Sequence, residues 1–337
     1  MKKILFIMLT VSGIFTSCQN TDWEFPDYDY TAVYFAYQTP VRTIVLGEDV
    51  YDTTLDNEYK CQILATMGGV YENKNNVEIS FRVDNSLCDG LTFDGTTDIL
   101  PMPSNYYSLS SDNRMVIKKG DIMGGVVVQL TDAFFADPLS LKNTYVIPIV
   151  MTDVKNADKI LTGEALVDNP NRAIAEDWDV VPKDYIMYAV KYINPYHATY
   201  LRRGKDDISG DINKTVIRHA TYVEKDEIIS TYTRSLNTIE LPLEIADADG
   251  SFMDCTLLIT IDNSGNCTVT SGTEGVEMSG NGKFVSKGEK NSWGNLDRDA
   301  IYLNYNLNFG SIRYATTDTL VVRDRGIDRE IFTPSLK

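Results

Sequence analysis

Histidine is almost missing from this chain: 337 residues hold only His197 and His219. They fall in different predicted strands, and neither a GxSxG elbow nor an HExxH pair is present, so nucleophilic and zinc-hydrolase chemistry have no sequence support. Ser235, in "TRSLN", has no neighbouring signature either. Cysteine is also scarce, at five, and no CxxC pair or Cys/His cluster has the spacing of a structural metal site. Positive charge is short as well: 31 Lys and Arg stand against 48 Asp and Glu, a formal charge of −17. Such a chain repels phosphate backbones, which argues against a nucleic-acid partner. Long apolar runs are missing too, since beyond the first twenty residues no segment approaches the roughly 20 residues of a spanning helix.

The N-terminus is the exception to that polarity. "MKKILFIMLTVSGIFTSC" sets Lys2 and Lys3 before an apolar stretch from Ile4 to Phe15, then Thr16 and Ser17 before Cys18. This is the layout of a bacterial lipoprotein signal over residues 1–17, with Cys18 as the acylated first residue of the mature chain. An ordinary secretory signal with Cys18 incidental is the alternative. Losing Lys2 and Lys3 would take the formal charge from −17 to −19. Residues 18–30 read as a polar, acidic tether.

About 320 residues remain, enough for two domains. Runs such as "TAVYFAYQ", "YKCQILATMGG", "VEISFRVD", "GGVVVQLTD" and "TYVIPIVMTD" predict strands over 31–166. In "VEISFRVD", Val77, Ile79, Phe81 and Val83 share one face, the period-two signature of a half-buried strand. Their number and spacing predict an immunoglobulin-like β-sandwich. "DAFFADPLSLKN" has room for one helical turn capped by Asp132 and limited by Pro138. Residues 167–182, rich in Asn and Asp with two prolines, read as a linker. Over 183–337 the strands resume, and hairpin turns at "DADGS" and "DNSGN" suggest an antiparallel, barrel-like (lipocalin-like) second domain. The whole is therefore expected to be all-β. A hairpin about "DNSG" would set Cys267 near Thr260 rather than near Cys255, which favours free thiols for most of Cys61, Cys88, Cys255 and Cys267.

"TYVIPIVMTDVKNADKILTGE", "YIMYAVKYINPYHATYLRRGKD" and "GEKNSWGNLDRDAIYLNYNL" resemble a group of Bacteroidetes surface lipoproteins. "LGEDVYDTTLDNEYKCQILATMGGVYENKNNVEISFRVDNSLC" and "LPMPSNYYSL" extend the resemblance over essentially the whole mature chain. It implies an N-terminal β-sandwich, of a type also fused to endo-β-N-acetylglucosaminidase-like hydrolases, followed by a β-rich domain. It also implies an outer-membrane, cell-surface lipoprotein of a polysaccharide-utilisation system, beside porin and glycan-binding partners of the SusC/SusD kind. The resemblance brings no catalytic residues and no cofactor. Where relatives often read Tyr-His-Gly, this chain has Tyr196-His197-Ala198.

Sugar rings present C–H faces to aromatic side chains and hydroxyls to polar ones. Trp293 in "KNSWGN", Trp178 in the linker, and Tyr106 and Tyr107 in "SNYYSL" are aromatic residues in polar, turn-like settings. They are the candidate glycan contacts, with Trp293 first; Tyr196, His197 and Arg202 in "YINPYHATYLRRG" join them. Against that, Tyr188, Tyr192, Tyr196 and Tyr200 fit packed strand positions, and Arg202, Arg203 and Lys205 fit a solvated strand end. "DADGS" has too little of a calcium loop's spacing to predict a metal. The expectation is a non-enzymatic glycan-capture protein. An adaptor lipoprotein docked to a porin and a hydrolase with an unrecognised carboxylate pair are the alternatives.

Overall fold

A computed structural model describes residues 27–246 and 252–337. The signal segment, Cys18, most of the tether and the "DADGS" turn lie outside them. Among the described residues no helix is long and apolar enough to cross a membrane.

The protein is all-β, in two domains. The first is built on β1 (Ala32–Tyr34), β2 (Pro40–Val45), β3 (Lys60–Gly68), β4 (Val77–Val83), β5 (Arg114–Ile117), β6 (Met123–Leu130), β7 (Tyr145–Lys155) and β8 (Tyr185–Ile193). Their hydrogen-bonded order is β1-β3-β6-β5-β4-β7-β8-β2. β5 and β6 are paired at Val116 and Gly125. Between the layers lies a core that includes Ile63, Ile79, Phe81, Ile117, Val128, Phe134 and Ile147. Val77, Ile79 and Phe81 are buried as the alternation requires, whereas Val83 at the strand end is exposed. "DAFFA" does form a helical turn over Asp132–Ala136, but Thr131 takes the N-cap position expected of Asp132.

The expected domain boundary at 167–182 needs correcting. Trp178–Val180 pairs with Glu164–Ala165, and β8 then completes the first sheet between β7 and β2. β8 is buried on both faces: Ile186, Tyr188, Val190 and Tyr192 enter the sandwich core, while Tyr185, Met187 and Ala189 enter a second cluster with Leu91, Phe93 and Ile99. The second domain begins at Asn194. Its end is also earlier than expected, because the C-terminal residues return to the sandwich. Glu330–Ile331 pairs with β2, Phe332 packs on Phe93 at 4.7 Å, and Ser335–Leu336 pairs with Leu91–Thr92.

The second domain is a curled, wholly antiparallel sheet of β9 (Thr199–Gly210), β10 (Lys214–Arg218), β11 (Glu227–Ser230), β12 (Tyr232–Ser235), β13 (Thr238–Ala246), β14 (Phe252–Ile261), β15 (Asn266–Ser271), β16 (Glu277–Glu289), β17 (Arg298–Asn308) and β18 (Ile312–Asp324). β11 pairs with β9 and β12 with β13, and only Thr231 separates β11 from β12. This bent segment therefore brings the two ends of the sheet together, as barrel closure demands. Cys267 lies opposite Ile261, one residue from the position expected, and all four described cysteines are free and buried.

Along β18 the inward positions read Ile312, Tyr314, Thr316, Asp318 and Leu320, so one carboxylate is carried into an apolar interior. Asp318 accepts from Arg202 Nε at 3.0 Å, from Tyr305 Oη at 2.7 Å and from Arg218. Asp206 accepts from Arg218 and from Thr316 Oγ1, the latter at 2.7 Å. Gly204 makes room for this cluster, since a Cβ there would sit 2.2 Å from Asp318 Oδ1. Arg202 is thus a buried member of an ion network and not part of a solvated strand end. Removing one partner of a buried pair leaves an uncompensated charge in low dielectric. Asp318→Ala is accordingly expected to destabilise the fold by about 3–5 kcal/mol, read as a lowered urea midpoint with an unchanged m-value.

Candidate functional site

A cleft of about 770 Å³ opens where the two domains meet. Three segments build it: the turn after β2, the connection between β16 and β17, and the chain leaving β18. Gly47 starts the first segment at φ +89° and packs against Pro195, where a Cβ would stand 2.8 Å from the proline's own. That turn delivers Val50 and Tyr51 to the rim, 89% and 70% exposed.

The β16–β17 connection supplies Trp293. Its indole Nε1 donates to the Val322 carbonyl at 3.1 Å, and the Arg298 guanidinium lies 3.5 Å from its ring centroid. Arg298 Nε also donates to the Trp293 carbonyl at 3.3 Å, which fixes ring and cation together. Two carboxylates hold the loop itself. Asp297 accepts from the Asn291 amide and from Lys290 Nζ, each at 3.0 Å. Asp299 accepts from the Lys287 amide at 2.7 Å and from Ser286 Oγ at 3.1 Å. The Asn291 amide and the Lys290 ammonium keep the Asp297 carboxyl below the usual carboxylate range. Lys287, Asn291 and Asn295 all stand at positive φ, a conformation that asparagine tolerates better than most residues. The tryptophan therefore rests on a pinned loop.

Arg325 sets the back of the cleft. Its guanidinium donates to four carbonyls: Asn194 and His197 at 2.7 Å each, Leu46 at 3.1 Å and Glu48 at 3.2 Å. Leu46 and Glu48 belong to the sandwich, so one side chain joins both domains. Burial pulls its pKa below the ordinary arginine value, yet a guanidinium stays charged. Across the opening, Lys287 Nζ lies 3.8 Å from Glu48. Aromatic and aliphatic faces beside fixed carboxylates and guanidiniums make a surface suited to a hydroxylated ligand.

Of the residues singled out in the sequence, Trp293 lines this cleft. Tyr196 stands just behind it, edge-on to Phe284 with ring centroids 4.9 Å apart. His197 is occupied: its Nδ1 accepts from the Thr233 amide at 3.1 Å, and burial, with Arg325 and Lys191 nearby, pulls its pKa down to about 4. Arg202 lies inside the barrel. Trp178 donates to the Asn171 carbonyl at 2.8 Å, on the small two-stranded sheet with Glu164–Ala165 and away from the cleft. Tyr106 packs edge-on against Phe134 and Tyr145 and donates to Asp137 at 3.0 Å; Tyr107 is half-buried against the same core. Tyr51, Asp297, Asp299 and Arg325 were not foreseen. Asp297 stands four residues after Trp293, and a polar loop tryptophan followed by "DRD" is the signal that points to Asp297 and Asp299.

The family model of a domain of unknown function, DUF5627, matches residues 195–326, and a model described only as an N-terminal domain matches residues 28–158. None of the curated proteins matches this chain. A crystal structure of a Bacteroides ovatus protein of unknown function is 48% identical, with a TM-score of 0.89 over 92% of this chain and 100% of its own. A second Bacteroides ovatus protein of unknown function, 12% identical over 90% of this chain and 99% of its own, has a TM-score of 0.40. A third from that organism, for which carbohydrate binding has been suggested, is 11% identical over 87% and 98%, with a TM-score of 0.29. The last two likenesses are too low to carry an argument.

Two measurements test the geometry of the junction. Arg325→Ala is expected to cost about 3 kcal/mol, on the scale of charge-assisted bonds, and to speed amide exchange around residues 46–48 and 194–198. Arg325→Lys should recover little, since an ammonium cannot span four carbonyls. His197 stays neutral when folded down to about pH 4, whereas an unfolded histidine protonates near 6.5. The unfolded state therefore binds more protons between these values, and stability falls as pH drops through that window. Replacing His197 by Gln should flatten this part of the urea-midpoint profile.

With 48% identity over the full length of the first Bacteroides ovatus protein, this chain belongs to that protein's family, a β-sandwich followed by a DUF5627 domain.

Proposed function

We propose that this protein is a non-catalytic glycan-binding lipoprotein of the outer-membrane surface, anchored through Cys18, with the interdomain cleft as its binding site. The observation that carries the reading is Trp293, held on a pinned loop in a 770 Å³ cleft with Tyr51 exposed on its rim. Sugar C–H faces pack on such rings, while the Asp297, Asp299 and Arg298 side chains beside Trp293 suit ring hydroxyls. His197, with its Nδ1 engaged and its ring neutral, is no general base in this scheme. A SusC/SusD-like porin complex is the partner that would take up the captured glycan.

Affinity electrophoresis of the body starting at Asn20, across a panel of bacterial, plant and host polysaccharides, tests this directly. Retardation by at least one polysaccharide is expected. Trp293→Ala should weaken it about tenfold, the loss of roughly 1.4 kcal/mol of aromatic contact, and Tyr106→Phe should leave it unchanged. No retardation by any polysaccharide, with co-purification of an outer-membrane porin, would overturn glycan binding in favour of an adaptor role. Release of reducing ends would overturn the non-catalytic part.

A further inference from the structure

The sandwich has two poles. β8 begins two residues after Lys183 and ends at Ile193, beside the Arg325 junction. Nine strand residues at about 3.3 Å each separate these ends by roughly 30 Å. At the Lys183 end the Phe35 amide donates to the Lys183 carbonyl at 2.9 Å, and the Tyr28 amide donates to the Gly69 carbonyl at 2.9 Å. The chain therefore enters the fold at the pole opposite the barrel and the cleft.

That entry pole carries an unusual surface. Tyr28, Tyr30 and Tyr34 line a shallow groove of about 430 Å³ over Gly68 and Gly69. Tyr28 is 64% exposed, and Tyr71, whose amide donates to Asp27 at 2.9 Å, is 68% exposed. Lys159 Nζ stands 3.4 Å from the Tyr30 ring centroid and Lys183 Nζ 5.6 Å from that of Tyr34. Of the nearby acids, Asp27 and Asp158 are turned onto protein donors, Asp158 onto the Thr31 amide at 2.6 Å and its hydroxyl at 2.8 Å. Asp29 and Glu72 are the exposed acids there without such a bond. Exposed tyrosines interleaved with lysines suit one environment in particular, the boundary between hydrocarbon and charged headgroups.

The tether selects that environment. Eight residues separate Cys18 from Asp27, a reach of at most about 30 Å even when fully extended. We infer that this tyrosine–lysine face seats on the phosphate-bearing headgroups of the leaflet that holds the Cys18 acyl chains, so that the protein stands with its cleft pointing away from the membrane. The inference rests on the acylation of Cys18 proposed above. The lysines meet lipid phosphates, the tyrosine rings lie at headgroup level, and the acyl chains keep the face within range.

Amine footprinting of the full-length protein tests it, in vesicles of phosphatidylethanolamine and phosphatidylglycerol. Intact mass is measured on the same sample to establish acylation. Relative to the soluble body without vesicles, Lys159 and Lys183 should acetylate at least fivefold more slowly, while Lys290 at the cleft is unchanged. Tyr28→Ala with Tyr71→Ala should reduce the protection of both lysines without releasing the protein from the vesicles. Acylated protein with Lys159 and Lys183 labelled as fast as in solution would overturn the seated face and leave the anchor standing. Absence of acyl mass would overturn both.

Discussion

Arg325 is the constraint on which the junction depends. Strand ends leave backbone carbonyls without ladder partners, and a buried carbonyl without a donor is costly. At this junction the problem occurs in both domains at once, after β2 in the sandwich and after β8 on the way into the barrel. One guanidinium answers it in four places. The cost is desolvation of a cation with no carboxylate among its hydrogen-bond acceptors, and it falls on the arginine as a lowered pKa. In return the cleft acquires a fixed back wall, and the loops bearing Tyr51 and Trp293 line one opening, a junction also held by Gly47 on Pro195 and by Leu236 on the sandwich core.

That return supplies the second restraint. Glu330 is bound by Lys191 at 2.7 Å, on the strand that leads into the barrel. Phe332 then fills the second cluster on the outer face of β8. β8 is therefore gripped on both faces and through both neighbours, and it ties the entry pole to the junction. A hinge has little place in such a strand; motion between the domains would have to break the Arg325 bonds first.

How much of this could be seen in the sequence differs from element to element. Period-two burial was legible because it is a local property, and Ile186, Tyr188, Val190 and Tyr192 face one core as their spacing predicts. The domain to which β8 belongs was not legible. The two prolines and the Asn and Asp of 167–182 look like a boundary placed before β8, but pairing with β7 and β2 decides its membership, and pairing is non-local. The returning strands are two residues each, too short for any periodic signal. Asp318 was not legible, since its inward position shows only once β18 is seen to begin at Ile312. Its partners Arg202 and Arg218 lie about a hundred residues away and gave no local sign. Trp293 stood out because a polar loop offers a tryptophan little core, whereas Tyr51 became interesting only once folding carried it across some 240 residues of sequence to the same opening.

The buried ion network and the exposed aromatic surfaces mark two different uses of polar–apolar conflict. Inside the barrel, Asp206 and Asp318 are each met by at least two donors, so the charges specify one register of β9, β10 and β18 with little left for a ligand. A one-residue slip of β18 would turn Asp318 outward and leave Arg202 with Glu227 alone, at 3.4 Å, a penalty no apolar substitution at those positions would impose. On the rim and at the entry pole the conflict is left open: Val50, Tyr51, Tyr28 and Tyr71 are largely exposed among the described residues. Apolar surface is thus left exposed at both ends of β8, whereas the buried carboxylates of the barrel are met by donors on neighbouring strands.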